Sequence, residues 1–218
     1  MACAANFFPT LQEVCQRFEM QEKIRVNAVM GASGNLYAQV LSGAPYNIFF
    51  SANCEYPQKI HKDNTKNYPP PTTYVVGKLV MWTMKKELDL SKGMELLEDK
   101  EIKTIAIANP EYAPYGQRSK QALKFFKLWE KISHKLVFGK NASQTFQFAQ
   151  TKNADIAFVP LSFAKKSGRY WQLPQESYTP INQCYVVLQQ DILVDKFLLY
   201  FHNSGAILQK NGYDSIIK

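Results

Sequence analysis

The chain has 218 residues, of which 46% are hydrophobic, and its 26 Lys and Arg against 18 Asp and Glu give a formal net charge of +8. This length and composition suit one large or two small folded domains and exclude a disordered chain. No apolar run approaches the roughly 18 residues that span a bilayer, and the scattered lysines, without a helix-turn-helix or RNP motif, argue against a nucleic-acid partner.

The first part of the chain alternates helices and short apolar strands. Pro9 suits the first turn of a helix, since the N–H that proline lacks needs no partner there, and Val14 and Phe18 continue the helical spacing. The elements predicted next are a strand over residues 24–29, a helix over residues 36–41 and a buried strand over residues 48–51. This βαβαβ order is typical of a parallel sheet covered by helices.

Three prolines at residues 69–71 break this pattern, because proline continues neither a helix nor a central strand. The β-rich residues 74–83 are long enough to leave one lobe and enter another. The elements predicted after them are strands over residues 104–108, 135–138, 156–159 and 185–188 and helices over residues 116–132, 143–150 and 195–210.

The order of these elements predicts an α/β fold with two lobes. If the strand over residues 185–188 returns to the first sheet, the chain crosses between the lobes twice. Lobe I then contains residues 1–78 plus 184–218, lobe II contains residues 79–183, and a ligand cleft lies between the lobes. Such clefts bind ligands at the carboxyl ends of strands.

Four turns rich in small or polar residues precede predicted helices. They are residues 5–7, 32–35, 113–116 and 141–143. The first N–H groups of a helix have no intrahelical partner and carry a partial positive charge, so converging helix starts form a pocket for an anion. The sequence therefore predicts a protein that captures an anion.

The residue types in these turns favour a fully deprotonated dianion. None of the four turns contains Asp or Glu, so the pocket offers no acceptor for the proton that phosphate keeps, whereas molybdate, tungstate and sulfate have only acceptor oxygens. Glu111 and Asp155 lie near the turns in sequence and would weaken this inference if they faced the ligand. The choice between sulfate and the larger molybdate depends on pocket size.

Several sequence runs resemble the periplasmic molybdate-binding proteins of ABC transporters. They cover most of the chain in order and are AANF at residues 4–7, GASGNLYAQ at 31–39, GAPYNIFFSA at 43–52, GKLVMW at 77–82, ANPE at 108–111, APYG at 113–116, QT at 144–145 and NAD at 153–155. The resemblance implies a type II periplasmic binding-protein fold with two lobes that close over one molybdate or tungstate ion. It also implies a monomeric solute-binding protein that delivers the ion to a membrane permease, with no cofactor, no catalytic residues and no metal other than that of the oxyanion.

The family's ligand contacts carry over to four positions of this chain. They are Asn6, Ser33, Tyr115 and Ala142, and the residues expected to wall the pocket are Ala5, Phe7, Gly34 and Pro160. Some members place a Ser or Thr hydroxyl in the first turn, where this chain has Ala5, so Asn6 would donate from its backbone or its amide. Pro160 stands where some members use a Tyr hydroxyl and offers neither an N–H nor a hydroxyl.

These residues also have plainer interpretations. Asn6 and Ser33 are residue types that commonly cap helices, and Tyr115 before a glycine suits a surface aromatic. The alternatives for function are a binding protein for another oxyanion such as sulfate and a ligand-sensing effector domain. No convergent set of acid, base and nucleophile appears in the sequence, so an enzyme is not expected.

The cysteines and the start of the chain bear on its location. Cys3, Cys15, Cys54 and Cys184 lack CxxC spacing, which favours unpaired buried thiols and leaves one disulfide open in an oxidising compartment. The first residues lack the basic and apolar regions of a secretory signal. The chain is then either cytoplasmic or begins after a cleavage point, and the resemblance implies a periplasmic protein without its signal peptide.

Overall fold

The computed structural model describes residues 1–63 and 67–216. The chain forms two compact units: unit 1 contains Met1–Gly77 and Asn182–Lys218, and unit 2 contains Lys78–Ile181. Within the described ranges, no helix has both the length and the apolar character that a membrane span requires.

Helices and strands alternate along most of the chain. The strands are β1 (Ala2–Ala4), β2 (Val29–Gly31), β3 (Ile48–Phe50), β4 (Thr72–Gly77), β5 (Leu79–Thr83), β6 (Ile105–Ala108), β7 (Leu136–Gly139), β8 (Ile156–Pro160), β9 (Arg169–Gln172), β10 (Ile181–Val187) and β11 (Asp214–Ser215). The α-helices are α1 (Phe8–Glu22), α2 (Ser33–Leu41), α3 (Glu55–Lys62), α4 (Pro114–Phe125), α5 (Ala142–Gln150), α6 (Leu161–Ala164), α7 (Ile192–His202) and α8 (Gly205–Lys210). Short 3-10 segments cover Leu90–Glu98, Ser133–Lys135 and Gln175–Ser177.

Unit 1 is built on a sheet with the strand order β11-β4-β10-β3-β1-β2. The first strand of the chain, β1, runs parallel to both β2 and β3, whereas β10 pairs with β3 in the antiparallel direction. Because β1, β2 and β3 are parallel and are joined by βαβ connections, their carboxyl ends all lie at one edge of the sheet. The prediction of parallel strands in this part of the chain is confirmed.

Both faces of the unit 1 sheet are covered. Successive strand side chains point to opposite faces, so Ile48 and Phe50 join one core with α1, α7 and α8, while Phe49 joins a second core with α2 and α3. Phe7 lies in the first core and its ring contacts the rings of Tyr74 and Tyr213, with centroid separations of 4.8 and 5.4 Å. Aromatic packing therefore holds the start of α1 against the sheet.

Unit 2 is built on a sheet with the strand order β7-β6-β8-β5-β9. Strand β6 runs parallel to β7 and to β8, whereas β5 pairs with β8 and β9 in the antiparallel direction. All five residues of β8 are buried, as expected for a strand covered on both faces. The core of unit 2 includes Val80, Trp82 and Val159.

The structure corrects several predicted boundaries. The strand predicted over residues 24–29 is wrong, because only Val29 of these residues belongs to a strand. The helix α1 ends at Glu22, and the C-cap residue Lys23 has a left-handed φ of 58°. The N–H of Val26 donates to a carboxylate oxygen of Glu19 at 2.6 Å rather than to a neighbouring strand.

The remaining corrections are divisions of segments predicted as continuous. The β-rich residues 74–83 form two strands, β4 and β5, that belong to different sheets. The helix predicted over residues 116–132 ends at Phe125, and Lys127 has a left-handed φ of 57°. The helix predicted over residues 195–210 is two helices, α7 and α8. The strands and α-helices that were not predicted are β1, α3, α6, β9 and β11, and the 3-10 segments were not predicted either.

Candidate functional site

All four predicted helix starts are confirmed, and each follows the carboxyl end of a parallel strand. In unit 1, α1 follows β1 and α2 follows β2; in unit 2, α4 follows β6 and α5 follows β7. Because β1 and β2 are parallel neighbours, as are β6 and β7, each unit carries two helix N-termini at one edge of its sheet. A pair of helix N-termini offers N–H donors and partial positive charge to an anion.

The turn that leads into α1 is held by hydrogen bonds on several sides. The N–H of Ala5 donates to the carbonyl oxygen of Gly31 at 2.9 Å, which ties this turn to the end of β2. The Nδ2 atom of Asn6 donates to Oε1 of Gln183 at 2.8 Å and lies 3.4 Å from Oη of Tyr213. The hydroxyl of Tyr213 donates to the backbone oxygen of Asn6 at 2.7 Å. Both hydrogens of the Asn6 amide thus have acceptors within unit 1.

Ser33 is the first residue of α2 and is buried. The N-cap is Ala32, in extended backbone conformation, and the Oγ atom of Ser33 accepts the N–H of Ala52 at 3.0 Å. The N-cap of α1 is Phe7 rather than Asn6. The alternative interpretation of Asn6 and Ser33 as N-caps is therefore wrong. Gly34, the second residue of α2, is half-buried.

The start of α4 packs tightly against the end of β6. A Cβ atom at Gly116 would lie 2.0 Å from the carbonyl oxygen of Ala108, so only glycine fits this close approach. Tyr115 is buried, with 2% of its surface exposed, and the alternative of a surface aromatic is wrong. Its carbonyl oxygen accepts the hydroxyl of Ser119 at 2.8 Å.

The start of α5 has a side-chain cap in addition to a close glycine. The Oδ1 atom of Asn141 accepts the N–H of Gln144 at 3.0 Å, and the side chain of Gln144 accepts the N–H of Lys140 at 2.7 Å. A Cβ atom at Gly139 would meet Oγ1 of Thr145 at 2.4 Å. Ala142 follows the Asn141 cap as the first residue of α5, and it is buried.

The other predicted site residues have clear places in the fold. Ala5 is buried in the first turn, and Phe7 is fully buried in the core of unit 1. Pro160 ends β8, where it pairs with Leu79, and is the N-cap of α6. The ligand and wall roles assigned to these positions stay predictions.

The two acidic residues near the turns differ in their surroundings. Asp155 lies before β8, at the edge of the sheet opposite the starts of α4 and α5, and its carboxylate accepts hydrogen bonds from Lys85, Lys103 and Thr104. Glu111 is exposed in the loop between β6 and α4. Among the described residues, no cluster of three or more His, Cys, Asp and Glu could hold a metal ion.

One disulfide joins Cys54, which follows β3, to Cys184 on β10. The predicted unpaired thiols are confirmed for Cys3 and Cys15, which are free and buried, but are wrong for Cys54 and Cys184. Burial raises the pKa of the Cys15 thiol to about 12. The two bonded cysteines have a sequence separation of 130, so no local spacing pattern indicated that they pair.

Three residues that support the helix starts were not found by sequence reasoning. Gln183 and Tyr213 contact Asn6 from 177 and 207 residues away along the chain, and Ala52 contacts Ser33 from 19 residues away. Each contact joins segments that are well separated in sequence, so no local pattern predicts it.

Two α/β units, each with paired helix N-termini at the carboxyl edge of a mixed sheet, define the class of two-lobed periplasmic binding proteins. The chain belongs to the family of bacterial extracellular solute-binding proteins, whose model matches residues 1–214. It is 35% identical to the molybdate-binding protein ModA of Rhodobacter capsulatus, over 97% of this chain and 86% of that protein.

Two further matches come from Azotobacter vinelandii. The chain is 35% identical to the molybdate-binding protein ModA of Azotobacter vinelandii, over 86% of this chain and 76% of that protein. A solved structure of the Azotobacter vinelandii periplasmic molybdate-binding protein matches with a TM-score of 0.88 and 32% identity, over 97% of this chain and 96% of that one. The predicted fold class and family are thus confirmed.

Proposed function

We propose that this chain is the molybdate-binding component of an ABC transporter and that it presents the bound ion to a membrane permease. The observation that carries the proposal is the coincidence of four helix starts with the four positions that the resemblance assigns to the ligand. The 35% identity to two proteins named as molybdate-binding supports molybdate over other oxyanions. Tungstate, which has the same shape and charge, is proposed as a second ligand.

We further propose that neutral donors bind the ion without a direct cationic partner. Asn6 and Ser33 in unit 1 and Tyr115 and Ala142 in unit 2 would supply N–H groups and one hydroxyl. A buried dianion needs a donor for each oxygen that leaves water, and the partial charge of helix N-termini reduces the cost of burying it. With both amide hydrogens of Asn6 engaged by Gln183 and Tyr213, its backbone N–H is the proposed donor.

The proposal includes no chemical step and no cofactor. The protein would act as a monomer outside the cytoplasmic membrane, and the oxyanion would leave it unchanged. Selection against phosphate would follow from the composition of the four helix starts, which contain no carboxylate to accept its proton.

Isothermal titration of the dialysed protein with molybdate, tungstate, sulfate and phosphate tests the proposal. We expect tight one-to-one binding of molybdate and tungstate, with weak binding of the other two anions. Tighter binding of sulfate than of molybdate would keep an oxyanion-binding protein but overturn the molybdate assignment. Failure to bind any of the four would contradict the proposed function as a whole.

A further inference from the structure

Gln183 occupies a buried polar network behind the turn that starts α1. It lies on β10 with no exposed surface, and its Oε1 atom accepts the amide of Asn6 at 2.8 Å. The hydroxyl of Tyr74 lies 3.3 Å from the same Oε1 atom and 3.3 Å from the carbonyl oxygen of Ser51. Buried polar groups of this kind favour one arrangement, because any other arrangement leaves a donor or an acceptor without a partner.

The contacts of Asn6 distinguish it from a residue that binds a ligand through its side chain. Its amide donates inward to Gln183, and its backbone oxygen accepts from Tyr213. The side chain therefore fixes the turn, and the turn sets the direction of the first N–H groups of α1. A donor that is held in place before the ligand arrives loses less entropy on binding than a mobile one.

We infer that Gln183 is a positioning residue for oxyanion binding, which acts through Asn6 and shares this task with Tyr213. This inference rests on the proposed function. Gln183 would not touch the ion, and its effect on affinity would disappear when the Asn6 amide is removed. A polar residue on β10 would thereby stabilise a binding turn that lies near the other end of the chain.

A double-mutant cycle on molybdate affinity tests the inference. Gln183→Met keeps the length of the side chain but removes the acceptor, and we expect it to weaken binding about tenfold, the effect of losing one buried hydrogen bond. Asn6→Ala should weaken binding by a similar factor. The molybdate affinity of the double variant should equal that of the single variant with the lower affinity, because both changes remove the same interaction.

Tyr213→Phe supplies a gentler variant in case Gln183→Met does not fold. It removes only the hydroxyl that donates to the Asn6 oxygen, and we expect at least a roughly threefold loss of affinity. Asn211→Leu is the matched control: its amide is also buried in unit 1 but bonds to Glu13 and to the carbonyl oxygen of Ile207. It should lower the free energy of unfolding and leave molybdate affinity within about twofold.

The outcomes separate this inference from the proposed function. If the unsubstituted protein binds molybdate but Gln183→Met and Tyr213→Phe bind it equally well, the positioning role is wrong and the function stands. If the losses of affinity in the two single variants multiply in the double variant, the positioning role is also wrong, since Gln183 would then act independently of Asn6. If the unsubstituted protein binds none of the oxyanions, both proposals fail.

Discussion

The Oγ atom of Ser33 accepts a hydrogen bond from the backbone N–H of Ala52, with a separation of 3.0 Å. Both residues are buried, and the bond joins the start of α2 to the loop that follows β3. As a hydroxyl accepts through its oxygen and donates through its hydrogen, this bond leaves the Ser33 hydrogen able to donate to a ligand oxygen. Ser33 therefore combines a structural contact with its proposed ligand contact.

Ser33→Ala is expected to lower both molybdate affinity and stability. Removal of the hydroxyl deletes the proposed donor, which should weaken binding by about 1–3 kcal/mol, and it leaves the buried Ala52 N–H without its acceptor, which should lower the free energy of unfolding by a similar amount. Titration calorimetry and urea unfolding without ligand measure the two effects.

The control for this substitution is Ser42→Ala at the other end of the same helix. The hydroxyl of Ser42 is exposed and donates to the carbonyl oxygen of Ala38. Neither affinity nor stability should change by more than about 0.5 kcal/mol in this variant. A Ser33→Ala protein with reduced stability but unchanged affinity would leave Ser33 with the structural contact alone.

Ala142→Pro tests a backbone donor without breaking a helix. Ala142 is the first residue of α5, a position where proline is tolerated, and the preceding Asn141 already has an extended backbone. The substitution removes one N–H group, so we expect molybdate affinity to fall by about 1–3 kcal/mol while the circular dichroism spectrum is retained. Ala142→Gly, which keeps the N–H, should bind far more tightly than Ala142→Pro. Equal affinities of these two variants would remove Ala142 from the site.

Local sequence signals predicted the helix starts because those starts depend on local chemistry. Pro9, Gly116 and the cap at Asn141 act within a few residues of their own position, and apolar strands separate them. The same signals placed the ends of helices less well. The left-handed backbone at Lys23 and Lys127 ends two helices without the glycine that usually marks such an end.

The contacts behind the site were not predictable from local patterns. The bond from Asn6 to Gln183 and the disulfide between Cys54 and Cys184 both depend on β10 pairing with β3, which brings distant segments together. Strand β1 was missed for another reason. Its three residues, Ala2–Ala4, are too few to show an alternation, and their burial comes from the strands on either side.

The disulfide is expected to contribute strongly to stability. The bond between Cys54 and Cys184 closes a long loop, with a sequence separation of 130, and removing such a constraint costs about 2–5 kcal/mol. We expect the Cys54→Ser, Cys184→Ser double variant to unfold at a lower urea concentration than the oxidised protein.

Treatment with a reducing agent supplies the control for this prediction. Reduction should move the unfolding midpoint of the unsubstituted protein towards that of the double variant and should leave the double variant unchanged, since Cys3 and Cys15 are already free. A midpoint that does not respond to either change would show that the bond contributes little to the free energy of unfolding.

Asp155 is expected to make stability depend on acidic pH. Burial alone would raise the pKa of the Asp155 carboxyl, but hydrogen bonds from Lys85 at 2.6 Å and from the N–H groups of Thr104 and Lys103 outweigh burial and hold the pKa below its usual range. A carboxyl whose pKa is lower in the folded state stabilises the fold above its unfolded pKa of about 3.9. That contribution is lost as the pH falls through the lowered folded pKa.

Asp155→Asn should therefore lower the free energy of unfolding at neutral pH by about 1–3 kcal/mol and flatten its decrease below about pH 4. Asp99→Asn is the control, since its ion pair with Lys92 is about half exposed and contributes at most about 1 kcal/mol. Urea unfolding at several pH values between about 7 and 3 measures both variants. The introduced asparagine amide takes up no proton in this range. If the stability of Asp155→Asn still falls with acid as steeply as that of the unsubstituted protein, other carboxyl groups control the acid response.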